Sequence, residues 1–135
     1  MKRMFLLIVL VATLTAVSCA EPTCYEQTEE YRAAADDIAD RFSDATDIAI
    51  STPRLGLAGP IAELQAIARE VDDLVVPECA SATQNALVQG VNGTIDAFLS
   101  FSSQDDDEIV NQKMKDAAYY MGLYEEQMEK LSTPD

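Results

Sequence analysis

Four segments of this chain place apolar residues at alternating steps of three and four, and this spacing limits the fold more than any other feature. Such a pattern is typical of helices that pack side by side along one apolar seam. Turn-forming residues separate the segments, as in Ser51-Thr52-Pro53 and Gly59-Pro60. We predict helices at 23–50, 60–75, 78–102 and 106–131, in an all-α, antiparallel up-down-up-down four-helix bundle.

The residues that repeat at this spacing define the seam of each predicted helix. Helix one begins at a capping box, with Thr23 as N-cap and Glu26 three residues later. We expect these seam residues to face the core: Cys24, Thr28, Tyr31, Ala35, Ile38, Phe42, Ala45 and Ala49; Leu57, Ile61, Leu64, Ile67, Ala68, Val71, Leu74 and Val75; Cys79, Leu87, Val91, Ile95, Phe98 and Phe101; Val110, Met114, Ala117, Met121, Tyr124, Met128 and Leu131.

The N-terminal twenty residues have the pattern of a secretory signal. Lys2 and Arg3 precede an uncharged apolar run over 4–17, which is too short to span a bilayer. Small residues follow, so an ordinary signal peptidase could cut after Ala20 and release a plain secreted protein. We predict a signal peptide over 1–18, a short tether over 19–22, the helical domain over 23–131 and a disordered tail over 132–135.

The residues Thr15-Ala16-Val17-Ser18-Cys19 resemble the lipobox of bacterial lipoproteins. The resemblance implies that Cys19 carries a diacylglyceryl group and becomes the first residue of the mature chain. It also implies a membrane-anchored position in the cell envelope, with the lipid bilayer as a partner through Cys19. In the alternative cut after Ala20, Cys19 leaves with the signal.

Two cysteines remain in the predicted domain once Cys19 is set aside. In an up-down-up-down bundle with short loops, the first turns of helices one and three lie at the same end. This places Cys24 near Cys79, and an oxidising compartment favours a disulfide. A metal site is the rival interpretation, but two thiolates without histidine make a poor ligand set. The same topology brings Tyr120 and Tyr124 near the level of Tyr25 and Tyr31, either as core packing or as an aromatic cluster.

Charge and composition exclude several classes of function. The chain has 24 acidic and 9 basic residues, a formal charge of −15, and no histidine. We therefore expect no nucleic-acid partner, since phosphate binding needs a basic face. Ser-His and Cys-His nucleophile pairs, imidazole metal sites and ferritin-like Glu-x-x-His sites all require histidine. We expect no catalytic residues, no metal and no cofactor.

The acidic residues of helix one fall away from its seam, at Glu26, Glu29, Glu30, Asp36, Asp37, Asp40, Asp44 and Asp47. We interpret them as a solvated face, and a cation-binding surface is the alternative. The acidic run at 105–108 suits a helix N-terminus. It lacks the alternate ligand spacing and the glycine of a calcium-binding EF-hand loop.

Two further features of helices three and four leave alternatives open. Gly90 and Gly93 lie mid-helix, where each costs roughly 1 kcal/mol relative to alanine. We expect close contact with a neighbouring backbone to compensate, and a kink beside a ligand pocket is the alternative. Tyr119 and Leu123 fall off the seam of helix four. They are interpreted as scattered surface residues or a lateral packing contact, and a docking patch is the alternative.

Three segments, at 64–67 (Leu-Gln-Ala-Ile), 76–80 (Val-Pro-Glu-Cys-Ala) and 95–101 (Ile-Asp-Ala-Phe-Leu-Ser-Phe), resemble a group of bacterial lipoproteins of uncharacterised role. The resemblance implies an envelope location and adds no catalytic residue. We expect a non-catalytic interaction or structural domain, anchored in the envelope, with a protein partner of unspecified identity. A small-ligand or cation-binding helical module and a plain secreted helical protein are the alternatives.

Overall fold

A computed structural model describes residues 22–134, and this part of the chain is built from helices without strands. The α-helices are α1 (Cys24–Gln27), α2 (Glu29–Ser51), α3 (Ala58–Asp72), α4 (Ser81–Ser102) and α5 (Asp107–Leu131). Short 3-10 turns at Arg54–Gly56 and Glu78–Ala80 precede α3 and α4. The all-α prediction is therefore confirmed.

The start of the domain is the predicted capping box. The backbone N–H of Glu26 donates to the Thr23 hydroxyl at 3.3 Å, and the Thr23 N–H donates to the Glu26 carboxylate at 2.9 Å. The prediction of one unbroken helix from residue 23 is wrong, because a turn at Thr28 separates α1 from α2. Thr28 is buried and its hydroxyl donates to the Cys24 carbonyl at 2.8 Å. Such back-bonding by threonine bends a helix.

The predicted seams of α2, α3 and α4 form most of the core. Their buried apolar members include Tyr31, Ala35, Ile38, Phe42, Ala45 and Ala49 of α2, Ile61, Leu64, Ile67 and Val71 of α3, and Leu87, Val91, Ile95 and Phe98 of α4. The seam of α5 is shallower. Ala117, Tyr124 and Met128 are buried, whereas Val110, Met114, Met121 and Leu131 are only half-buried.

The helix α3 corresponds to the predicted helix at 60–75 and ends earlier than the sequence predicts. It ends at Asp72, and Val75, predicted to face the core, is 89% exposed. Pro77 disfavours helical geometry at the preceding Val76, and the chain leaves the helix before it reaches that position. The side chain of Leu74 still packs against the core.

A disulfide joins Cys24, the first residue of α1, to Cys79 in the turn before α4, with the two Cα atoms 6.1 Å apart. The predicted bridge is therefore present. The expectation that Cys79 faces the core is wrong, because the residue is exposed and its sulfur bonds to Cys24 at the edge of the bundle. The bridge closes a loop that contains α2 and α3.

The closest packing among residues 22–134 joins α4 to α5. A Cβ built on Gly93 would lie 3.1 Å from the Cβ of Ala117 and 3.4 Å from its Cα. A Cβ on Gly90 would overlap the Met121 side chain and lie 3.2 Å from the Met121 backbone nitrogen. The predicted close contact of these glycines with a neighbouring helix is confirmed.

The remaining helices pack in sequence, α2 on α3 and α3 on α4, whereas the backbones of α2 and α5 approach each other at few points. Arg41 of α2 and Glu70 of α3 form a two-pronged ion pair, with Nη1 and Oε1 3.2 Å apart. This hydrogen bonding lowers the pKa of the Glu70 carboxyl. Because both side chains are exposed, the pair contributes little to the stability of the fold.

The reversal between α4 and α5 depends on one residue in a left-handed conformation. Gln104 has a φ of 62°, and the Asp105 N–H donates back to the Ser100 carbonyl at 3.0 Å. This pattern closes the C-terminal end of a helix and satisfies its last carbonyl groups. The chain then enters α5 through Asp106, whose carboxylate accepts from the Glu108 N–H at 2.8 Å.

We expect the double substitution Cys24→Ala/Cys79→Ala to lower the free energy of unfolding by about 2–5 kcal/mol, because it frees the unfolded chain over a long closed loop. Helical content below the new midpoint should hardly change, since the core seams survive. Urea unfolding followed by circular dichroism measures both quantities. Full thiol labelling of the unreduced wild-type protein at both cysteines would contradict the bridge.

The glycines of α4 and α5 provide a matched test of close packing. Gly122 has no atom within 4 Å of the position that a Cβ would take, so Gly122→Ala should stabilise the protein by about 0.5–1 kcal/mol through helix propensity. Gly93→Ala should give no such stabilisation, because its new Cβ would crowd the Ala117 side chain. The larger side chain of Gly93→Val should lower the free energy of unfolding by about 1–3 kcal/mol. A Gly93→Val variant as stable as wild type in thermal unfolding would refute the tight contact.

Candidate functional site

The predicted lipidation site, Cys19, lies outside the residues that the structure describes, as does the whole predicted signal peptide. Within residues 22–134, none of the helices has the length and apolar character needed to cross a membrane. Lipidation at Cys19 stays a prediction from the sequence. The first helix of the folded domain begins at Cys24, only a few residues after this position.

The acidic residues predicted to lie off the seam of α2 are exposed along the helix. In the described part of the chain, no group of three or more Asp, Glu, Cys or His side chains is arranged to hold a metal ion. Gly90 and Gly93, where a ligand pocket was the alternative, lie in close contact with Met121 and Ala117, and the hollow of about 230 Å³ beside Gly93 is open to the surface. A candidate site must therefore be sought elsewhere between the helices.

A groove of about 380 Å³ runs between α2 and α5, whose backbones approach each other at few points. Its apolar lining comes from Ala39, Phe42, Met121 and Tyr124, and buried Thr94 of α4 lies at its base. Four carboxylates border it, from Asp36, Asp40, Asp47 and Glu125. We call this feature the acidic groove. It combines an apolar floor with a negative border, and no Lys or Arg lines it.

Small side chains on α2 keep the acidic groove open. Ala39, Ser43 and Thr46 follow one another at steps of four and three beside the seam, and all three line the groove. The Thr46 hydroxyl oxygen is buried and has no hydrogen-bond partner within the described residues. Half-buried Met121 reaches in from α5, and its flexible side chain can adapt to different neighbours.

Two buried tyrosines join α2, α4 and α5 at one end of the groove. Tyr31 and Tyr124 are each 3% exposed. The Tyr31 hydroxyl donates to Gln84 at 3.2 Å, and the Gln84 amide donates to the Val71 carbonyl at 2.7 Å. The Tyr124 hydroxyl lies 3.4 Å from the Asp36 carboxylate. These bonds give the tyrosines a structural role in the core.

The ionisation of both tyrosines is disfavoured in the folded chain. Burial, with a smaller contribution from the negative charge of Asp36, raises the pKa of Tyr31 to about 12. Burial followed by the charge of Asp36 also raises the pKa of Tyr124. A phenolate at either position would lose its hydration and face a carboxylate, so the hydroxyls remain protonated donors at neutral pH.

The other tyrosines do not join this cluster. Tyr120 contacts Tyr119 edge to face, with ring centroids 5.4 Å apart. The Arg32 guanidinium lies 4.4 Å from the centroid of the Tyr25 ring. The off-seam pair predicted on α5 also separates, because Leu123 packs against the core while Tyr119 is 67% exposed.

A second hollow, of about 390 Å³, lies between the end of α4 and the start of α5. Phe98, Phe101, Val110 and Met114 supply its apolar lining. Arg54 covers the Phe101 ring, with its guanidinium carbon 4.4 Å from the ring centroid. Among residues 22–134, Asp107 is the one charged residue that lines this hollow, compared with four carboxylates at the acidic groove. The lining of the hollow therefore says less about the kind of ligand it would bind.

The acidic groove and the residues that build it are not evident from the spacing of the acids along α2. That spacing predicts one solvated face and does not separate Asp36, Asp40 and Asp47, which border an apolar floor, from Asp44, which does not. The available signal was the row of small residues at 39, 43 and 46 beside the seam. Small side chains there leave the face toward a neighbouring helix incompletely filled.

We expect stability to fall as the pH rises above 10, because Tyr31 and Tyr124 ionise readily only after unfolding. Their contribution is complete below the pKa of the unfolded state, near 10, and is lost as the pH passes through the higher folded-state values. Each tyrosine should contribute a slope of at most about 1.4 kcal/mol per pH unit in that range.

Urea unfolding at a series of alkaline pH values measures this slope. The Tyr31→Phe and Tyr124→Phe variants should each show a shallower loss of stability than wild type. Tyr119→Phe, at an exposed position, controls for the loss of a hydroxyl group. An equal alkaline slope in all three variants and wild type would contradict the assignment.

No protein-family model, curated protein or solved structure matches this chain. A function for it must therefore come from its own residues and geometry.

Proposed function

We propose that this chain is a cell-envelope lipoprotein, anchored through lipidated Cys19, whose helical domain is a non-catalytic interaction module. The observation that carries the proposal is the position of the disulfide directly after the predicted lipid site. Cys24 begins the first helix and is bonded to Cys79, so the domain is covalently closed close to its anchor. With the lipid on Cys19, the end of the domain that carries the Cys24–Cys79 disulfide stays toward the membrane.

The length of the tether limits how far the domain can move from the bilayer. Five residue steps separate Cys19 from Cys24. A fully extended chain covers at most about 3.6 Å per residue, so the disulfide end lies within about 18 Å of the lipidated residue. The short tether supports a role close to the membrane surface.

The charge of the chain supports lipid as the sole means of attachment. The full chain has a formal charge of −15, and its predicted signal contains basic residues but no acidic ones. The remaining domain is therefore strongly acidic and is repelled by anionic headgroups. The described helices include none that could cross a bilayer. Stable anchoring requires about two acyl chains, which a lipidated N-terminal cysteine provides.

We further propose the up-down-up-down order for the four long helices. Consecutive helices pack on each other, α2 on α3, α3 on α4 and α4 on α5. The start of α2 meets the start of α4 through Tyr31 and Gln84, and the C-terminal half of α5 meets the start of α2 through Tyr124 and Asp36. The disulfide at Cys24 and Cys79 links the same ends. These contacts support parallel α2 and α4, with α3 and α5 antiparallel to them.

The filled contact between α4 and α5 supports an interaction domain over a small-ligand module. At Gly90 and Gly93, where an enclosed pocket would have favoured ligand binding, side chains of α5 occupy the space. The acidic groove is open along the surface instead. A cation-binding module is the weaker candidate, because four carboxylates border this groove but no three acidic side chains among residues 22–134 are arranged to hold a metal ion.

We expect Cys19→Ser to release the protein from the membrane fraction or to leave it unprocessed, because in this proposal the lipid on Cys19 is the means of attachment. Cell fractionation with immunoblotting measures the distribution, and mass spectrometry of the N-terminal peptide measures lipidation. Retention of a processed Cys19→Ser variant in membranes at the wild-type level, with its signal removed, would refute the anchor.

Ala20→Leu is the matched control, because it removes the small residue required for an ordinary cut after position 20 and leaves Cys19 intact. Membrane attachment of Ala20→Leu should remain at the wild-type level. A processed, lipid-free wild-type chain in the medium would instead identify a plain secreted protein.

A further inference from the structure

We propose that the acidic groove receives a basic amphipathic α-helix of a partner protein. The inference rests on the proposed role as an interaction module and names the chemistry of its partner. It rests on three observations: α2 and α5 meet at few points, the groove has an apolar floor, and its border carries only negative charge. The open face suits a helix, the apolar floor suits an apolar side of that helix, and the negative border suits basic residues beside it.

The hollow between α2 and α5 leaves room for apolar side chains from one face of another helix. The consecutive long helices pack on each other, α2 on α3, α3 on α4 and α4 on α5, whereas α2 and α5 meet at few points, and Thr94 of α4 lines the groove between them. Ala39 and Met121 remain half-buried at this opening. A helix laid into the groove would complete their burial, in the way that amphipathic helices occupy apolar grooves elsewhere.

The length of the groove fits a helix. Asp36 and Asp47 mark its extent along α2, and eleven helical steps correspond to a rise of about 16 Å. This is about three helical turns, enough for apolar anchors at positions i, i+3 or i+4, and i+7 of the occupant. The groove is thus long for its volume of about 380 Å³.

The charge of the border selects a basic occupant. Asp36, Asp40 and Asp47 line the α2 side, Glu125 lines the α5 side, and no cationic residue lines the groove. Asp36 and Asp40 are four residues apart and repel each other, so a cationic helix relieves a cost already present. A second copy of this chain is disfavoured, because its formal charge of −15 would be brought against the same sign.

The experiment uses a synthetic Leu/Lys helix of about 18 residues with one apolar face, labelled with a fluorescent dye. Fluorescence anisotropy measures its binding to the full chain in phosphatidylcholine nanodiscs, with empty nanodiscs as background. A chain that carries no lipid is titrated in buffer instead, so failure of the anchor and failure of the groove are observed separately. We expect saturable binding that weakens as salt is raised.

Variants test whether binding uses this groove. Asp40→Asn/Asp47→Asn should weaken binding about tenfold, because two of its border charges are lost. Asp44→Asn/Glu63→Gln removes the same charge from exposed positions outside the groove and should change binding less than about twofold. Ala39→Leu fills the floor without changing charge and should also weaken binding. Circular dichroism confirms that each variant retains wild-type helical content.

Peptide variants test the helix itself. A Leu/Lys peptide of equal composition but scrambled order, and one with a central proline, should both bind at least about tenfold more weakly, because neither presents a continuous apolar face on a helix. Equal binding of these peptides would overturn the proposal.

Three further outcomes would also overturn it. The first is an equal loss of affinity in the Asp40/Asp47 and Asp44/Glu63 variants, which would indicate general attraction to an acidic surface. The second is displacement of the helix by a linear polyamine with the same dependence on Asp40 and Asp47, which would assign the groove to small cations. The third is a dimer in sedimentation that Ala39→Leu disperses, which would assign it to a second copy.

Discussion

The close approach of α5 to α4 determines where the other helices can pack and where the domain remains open. Gly93 lets the backbone of α4 come within van der Waals distance of Ala117, and Gly90 accommodates Met121. On its other side, α5 meets α2 at few points, where Ala39, Ser43 and Thr46 of α2 present small side chains. The α2–α5 side is consequently the weakly packed one, and the acidic groove results from this asymmetry.

Much of the fold was accessible from the sequence because it depends on local rules. Steps of three and four along α2 identify a buried row from Tyr31 to Ala49, and the capping box at Thr23 marks where the domain begins. The pairing of Cys24 with Cys79 was predicted from the number of cysteines left after Cys19, an oxidising compartment and the expected helix order. Errors arose where tertiary geometry overrides periodicity. Thr28 interrupts the first helix through its own hydroxyl, and Val75 leaves the helix because Pro77 comes after it.

The acidic groove was less accessible, because it depends on distances between helices that no single helix encodes. The pattern of α2 correctly placed Asp36 and Asp40 away from the seam, and both are exposed. Whether such residues face open water or border an apolar floor depends on how far α5 lies from α2. The position of α5 also depends on its close contact with a third element, α4, at Gly90 and Gly93. The charge pattern and the packing pattern must therefore be read together across three helices.

The position of the disulfide also determines how the domain would bear mechanical load. Tension applied before Cys24 passes through the sulfur–sulfur bond directly into Cys79 and then α4. The intervening segment, which contains α2 and α3, carries none of that tension while the bond is intact. A separation of 55 residues corresponds to about 190 Å of extended chain, all of which is withheld from stretching. A domain pulled between its N-terminal side and α5 would therefore yield only over the segment from Cys79 onward.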